Sequence, residues 1–96
     1  MEAKTDWERV HIYIKGRVQG VSFRWWIFRG AQGLGLVGWV KNLEDGRVEI
    51  LAEGEKTKLT KLIKLSKRGP FLASVTHLDL VWEKATREFS GFEITK

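Results

Sequence analysis

Val10, Ile12 and Ile14 alternate with His11, Tyr13 and Lys15. A period of two predicts a strand with one buried face. Gly16 ends the alternation, and the stretch to Val21 holds a second glycine, Gly20. From about Ser22 to Leu34 the spacing turns helical, with Phe23, Ile27, Gly30/Ala31 and Leu34 on one face. Ser22 stands where an N-cap belongs, and Gly33 and Gly35 stop the helix.

Leu36 to Asn42 reads as a second strand, and Glu44-Asp45-Gly46 is a hairpin-turn signal. Arg47 to Glu53 is a third strand, with Val48 and Ile50 opposite in phase to Glu49 and Leu51. A second helix runs from about Lys56 to Lys67, with Leu59, Leu62 and Ile63 as its apolar stripe and Gly69-Pro70 as its stop. Val75 to Glu83 is a fourth strand, with Leu78, Leu80 and Trp82 on one face, and Phe92 and Ile94 suggest a short closing strand. The order is β-α-β-β-α-β plus one small strand, a weak internal duplication. Both helices fall in crossovers, and right-handed crossovers place them on the same side of the sheet. The expected fold is therefore α+β: a ferredoxin-like sandwich with a four- to five-stranded antiparallel sheet and two helices on one face. Residues 1–96 form a single domain, with about 1–8 as an N-terminal extension.

Composition narrows the chemistry. With 43% hydrophobic residues, five Trp and five Phe, the chain has material for a packed core. It has no Cys, which excludes a disulfide framework, a thiolate nucleophile and a Cys-based metal site. Two His, His11 and His77, exclude a His-rich zinc site, and no metal or cofactor is expected. Apolar runs are too short to span a membrane, and Met1–Val10 is charged rather than apolar. These features place the protein in the cytoplasm as an expectation. A single Asn, two Gln and one Met beside abundant Lys form a thermophile-like pattern. The net charge of +5 points to an anionic partner: nucleic acid, acidic lipid or a small phosphate compound.

Gly16-Arg17-Val18-Gln19-Gly20-Val21-Ser22-Phe23-Arg24 is the segment richest in chemistry. A glycine-containing loop between a strand and a helix can turn backbone N–H groups inward as an anion nest. The helix N-terminus adds its free N–H groups and dipole. Arg24 contributes a planar, permanently charged fork suited to phosphate oxygens. Physically, such a loop is equally well a tight connection. It is neither a Walker A loop nor a Rossmann loop, since GxxxxGK[ST] is absent and no GxGxxG follows this strand.

GRVQGVSFR closely resembles the acylphosphatase motif GRVQGVGFR. The resemblance continues in Leu34–Asn42 (LGLVGWVKN, against LGLxGWVxN), in Asp45–Glu49, in Gly69-Pro70 and in Phe89–Ile94. It covers the chain from about Arg9, in family order and spacing. Ser22 departs from it, standing where many members have Gly, which bears on the fine geometry of the loop.

The resemblance implies an enzyme that hydrolyses acyl phosphates to carboxylate and inorganic phosphate without a metal. Arg24 matches the family's phosphate-binding arginine, and Asn42 the asparagine that holds the attacking water. Backbone amides of Gln19, Gly20, Val21 and Ser22 match the phosphate cradle. Asn42 by itself also reads as a turn residue. Against that, it lies eighteen positions after Arg24, as the family requires, and is the chain's only Asn.

Other residues have plainer readings. His11 and His77 read as sheet residues, Glu44-Asp45 as exposed turn acids, and the lysines of the second helix as a solvated face. Trp26 reads as partly buried, whereas Trp25 either lines the acyl side of the site or simply packs. The C-terminal carboxylate after Lys96 is a speculative partner for Arg24. The rival function is an RNA-recognition-like module of the same topology, with Tyr13, Trp39 and Leu51 on the open sheet face. Strand three has no aromatic and does not fit the ribonucleoprotein pattern, so nucleic acid is the weaker choice of partner. A non-catalytic regulatory or maturation-factor domain would use the same fold, but its fused versions carry downstream zinc-binding segments. A membrane partner is not expected, and the oligomeric state is open, with a monomer favoured.

Overall fold

The computed structural model describes residues 7–95. Chain order is β1 (Trp7–Arg17), α1 (Phe23–Gly33), β2 (Val37–Asn42), β3 (Val48–Glu55), α2 (Lys56–Arg68), β4 (Ser74–Lys84) and β5 (Phe92–Thr95). The five strands form one sheet in the order β4-β1-β3-β2-β5. Both helices pack on the same sheet face and touch each other, giving the expected α+β ferredoxin-like sandwich.

One detail of the expectation is corrected. The sheet is mixed, because β5 runs parallel to β2, pairing Gly38 with Phe92 and Val40 with Ile94. The other pairings are antiparallel. Hydrophobic alternation reports which face a residue occupies and carries no strand direction, so it could not distinguish the two.

The first strand also begins at Trp7, inside the stretch expected to be an extension, because Trp7 and Glu8 continue the ladder to Glu55 and Gly54. The rest of that extension, and the C-terminal carboxylate after Lys96, lie outside the described residues.

Val10, Ile12 and Ile14 of β1, Val40 of β2 and Val48, Ile50 and Ala52 of β3 meet Phe23, Ile27 and Ala31 of α1 and Leu59, Leu62 and Ile63 of α2. Each Val, Ile, Leu or Phe among them taken fully out of water contributes roughly 1.5–3 kcal/mol before entropy is counted. The third strand departs from simple alternation: every residue from Val48 to Gly54 is buried. As the central strand it has helices on one face. On the other, Arg9, His11, Tyr13 and Trp39 surround Glu49, Leu51 and Glu53.

Two backbone devices aim the chain at the site. At the end of β1 the register with β4 shifts between Lys15 and Gly16. A Cβ on Gly16 would lie 2.1 Å from the Ser74 carbonyl oxygen, so only glycine permits this approach. At the end of α1, Leu36 N–H donates to Ala31 O and Gly35 N–H to Gln32 O, with Gly35 left-handed at φ 72°. This Schellman closure stops α1 and turns the chain straight into β2.

Candidate active site

A pocket of about 200 Å³ opens where β1 passes into α1. Its walls come from the loop (Val18, Gly20, Ser22), the first turn of α1 (Phe23, Arg24, Trp25), the end of β2 (Asn42) and β5 (Ile94). Buried Val18 and Phe23 anchor the loop in the core, one at each end. Between them Gly20 has φ 75° and Ser22 φ 65°. The amides of Gln19, Gly20, Val21 and Ser22 donate to no other group among the described residues. The first turn of α1 carries no acidic residue, so the positive end of the helix dipole is left uncompensated there.

Ser22 does not cap α1 in the expected way. Its backbone is left-handed and its hydroxyl makes no capping hydrogen bond. A capping serine takes extended φ/ψ to bring its oxygen onto the N2 or N3 amide, and this backbone does not. The helix start is therefore open towards the pocket.

Arg24 is half-buried, and its Nη1 donates to the carbonyl oxygen of Thr95 at 3.3 Å. The backbone of β5 thus holds the guanidinium, which has no acidic partner among the described residues. Asn42 lines the same pocket from the opposite element, and its side-chain oxygen is buried without a hydrogen-bond partner. An orphaned buried acceptor of this kind costs about 1–3 kcal/mol, and at a pocket wall it marks a place for a donor such as water. Of the residues singled out by the sequence, Gly20, Ser22, Arg24 and Asn42 meet around one cavity, although Arg24 and Asn42 lie on different elements, whereas Gln19 and Val21 do not line it.

The chain from Val10 to Ile94 matches the family model for acylphosphatase, residues 10–94. The chain belongs to the acylphosphatase family. It is similar to an acylphosphatase of Acaryochloris marina, 53% identical over 83 residues, covering 86% of this chain and 88% of the relative. An acylphosphatase of Roseiflexus sp. is 47% identical over 89 residues, covering 93% of this chain and 96% of the relative. The crystal structure of acylphosphatase from Bacillus subtilis superposes with a TM-score of 0.90 at 37% identity, covering 93% of this chain and 99% of that one.

Within this family framework the remaining candidates find their places. His11 Nε2 lies 2.6 Å from Glu49 Oε2, and His77 Nε2 lies 2.9 Å from Asp79 Oδ1; neither histidine lines the pocket. Asp45 accepts from Arg47 N and Nε, as a turn residue does. These bonds, the backbone one first, hold its carboxyl below the usual carboxylate value. Trp26 donates from Nε1 to Leu65 O at 2.8 Å, fastening α1 to α2. Among the described residues there is no cluster of three or more His, Asp or Glu placed to hold a metal ion. No helix among them is long and apolar enough to cross a membrane.

The sequence reading missed the side chain of Gln19. Only its backbone was assigned to the cradle, yet its amide nitrogen donates to two carbonyls of the β2–β3 hairpin, at Leu43 and Arg47. No local pattern announces such a bond, because its acceptors are backbone atoms far along the chain.

Proposed function

We propose that this family member hydrolyses acyl phosphates to a carboxylate and inorganic phosphate, using the pocket between Arg24 and Asn42. The observation that carries this reading is the buried Asn42 oxygen, without a partner among the described residues, lining one small cavity with Arg24 and the loop residues Gly20 and Ser22. The Arg24 fork and the amides of Gln19 to Ser22 bind the phosphoryl oxygens and offset the charge spread over them in a loose transition state. Asn42 accepts a hydrogen bond from a water and aims it at phosphorus. An amide is too weak a base to deprotonate water, so Asn42 orients it. The water oxygen bonds to phosphorus as the bond from phosphorus to the acyl oxygen breaks. The electron pair leaves with the carboxylate, and the water proton passes to a phosphoryl oxygen. Because a carboxylate is a good leaving group, no protonating acid is required, and the reaction as written uses no metal or cofactor.

The open sheet face does not favour nucleic acid. Leu51 is buried there, the Tyr13 ring lies under Arg47 at 4.8 Å and stacks on His11, and the carboxylates of Glu49 and Glu53 fill the centre. Burial, with the Glu49 contact second, raises the Tyr13 phenol above its ordinary value. Buried carboxylates beneath a proposed backbone track repel phosphate.

The test is hydrolysis of benzoyl phosphate with EDTA present, for the unaltered chain, Arg24→Gln and Asn42→Ala. Turnover that survives EDTA and collapses in both variants supports the proposal. Absence of turnover, or unimpaired variants, sinks it. Micromolar, salt-dependent binding of an oligonucleotide would favour the rival function.

A further inference from the structure

A second cavity of about 470 Å³ adjoins the phosphate pocket. The two share Ser22 and Trp25 as walls, whereas Asn42 lines only the first. The second continues along the outside of α1 over Trp26, Gly30 and the one charged wall, Arg29, with Leu65 of α2 and Pro70 opposite. Its size falls in the range of small-molecule sites, and most of its walls are apolar.

The aromatic walls are held in place. The Trp25 ring stacks on Phe28 with centroids 5.3 Å apart and planes 23° apart, while 53% of the residue remains exposed. Trp26 is pinned through its bond to the Leu65 carbonyl. Gly30 lets α2 pack close to α1: a Cβ there would lie 2.6 Å from Leu65 Cδ1.

In-line displacement requires the leaving oxygen on the face of phosphorus opposite the water. With the water at Asn42, the acyl group departs on the side where Asn42 is absent, which is the side of Trp25. We infer that this groove is the acyl-group subsite and that it selects planar, apolar acyl groups, with Trp25 as the specificity-determining residue. The inference rests on the acyl-phosphate reading of the adjoining pocket. An aromatic acyl group would stack on the indole and pass over Gly30 towards Leu65 and Pro70. A two-carbon acyl group is too short to reach those walls. Such contacts are present before and during the reaction, so they appear chiefly in KM and in kcat/KM.

Acetyl, butyryl and benzoyl phosphate, assayed side by side, test this. For the unaltered chain, KM should fall along that series. Trp25→Ala should lower kcat/KM for benzoyl phosphate about tenfold relative to acetyl phosphate, the scale of a lost aromatic contact in an apolar site. Trp25→Phe should retain most of the preference. A flat series in the unaltered chain overturns the inference without needing any variant. So does a Trp25→Ala enzyme weakened by one common factor on all three substrates, since that places Trp25 in phosphate binding alone. Loss of turnover on every substrate by the unaltered chain removes the acyl-phosphate reading itself, and this inference with it.

Discussion

The side-chain amide of Gln19 donates to the carbonyl oxygen of Leu43 at 2.8 Å, across 24 residues of sequence. The same nitrogen donates to Arg47 O at 2.9 Å, and Arg47 O also accepts from Leu43 N. One residue thus ties the loop between β1 and α1 to the hairpin whose first strand ends in Asn42. Gln19 does not line the pocket, so it acts by positioning. Gln19→Ala should lower stability by about 1–2 kcal/mol, the worth of two neutral hydrogen bonds. It should also lower kcat/KM by at least about tenfold, because small misplacements of a bound water are expensive in rate. Gln19→Glu should be worse on both counts, since a carboxylate then faces two carbonyl oxygens. Urea melts and steady-state kinetics on the three proteins decide the matter.

Asn42 and Arg24 should separate in their kinetics. Asn42→Ala removes a group proposed to hold the water rather than the substrate, so kcat should drop about 10²–10³-fold with little change in KM. Because the Asn42 oxygen is buried without a partner, its removal should leave stability unchanged or raise it by about 1 kcal/mol. Arg24→Lys keeps the charge but loses the two-pronged fork and the bond to Thr95, so KM should rise about tenfold or more. If Asn42→Ala lowered stability and left kcat intact, Asn42 would be the structural turn residue that its position beside a hairpin also allows.

Ser22 holds φ 65° between Val21 and the first turn of α1, a conformation that costs a residue with a Cβ roughly 1–2 kcal/mol. Ser22→Gly relieves that strain but frees the unfolded chain, so the net gain should be at most about 1 kcal/mol. Ser22→Val should lose about 1–2 kcal/mol and raise KM, because a β-branched residue resists the left-handed region and would distort the cradle. Thermal melts with and without inorganic phosphate measure both effects. An unchanged melting temperature for Ser22→Val would show that the loop has other conformations available.

The elements legible in the sequence are those whose burial obeys one period. Val10, Ile12 and Ile14 mark β1, and Phe23, Ile27 and Ala31 mark α1, because each set faces a single core. The direction of β5 was not legible, since Phe92 and Ile94 alternate in the same way in a parallel or an antiparallel pair. Nor was the burial of Glu49 and Glu53, because it depends on side chains that arrive from β1, β2 and the segment after β4. That Arg24 and Asn42 share one pocket was legible through motif spacing. The left-handed backbone of Ser22 and the long reach of Gln19 were not, because each is imposed by tertiary closure of the loop.

Glu53 makes a pH-sensitive contact in the central strand. Its side chain is fully buried in the central strand, 2.8 Å from Arg9 Nε. It also accepts from the backbone amides of Thr86 at 3.0 Å and Arg87 at 2.9 Å, pinning the segment after β4 across β3. Burial pushes the carboxyl upwards, but the Thr86 and Arg87 amides and Arg9 together outweigh it and hold it below the ordinary value of 4.5. A carboxylate with a lowered folded pKa contributes stability above its unfolded value and loses it as the pH falls through the folded value. Stability should therefore be full at pH 7 and decline once the pH drops below about 4.5. Glu53→Gln keeps the shape but turns one acceptor into a donor facing donors, and leaves Arg9 without its buried partner. At pH 7 it should cost about 2–3 kcal/mol. The gap between the two proteins should narrow as the pH approaches 3, because the protonated carboxyl then resembles the amide. Urea titrations at pH 7, 5 and 3 read this directly. A gap of equal size at all three would show that Glu53 contributes through shape and neutral hydrogen bonds, with no part played by its charge.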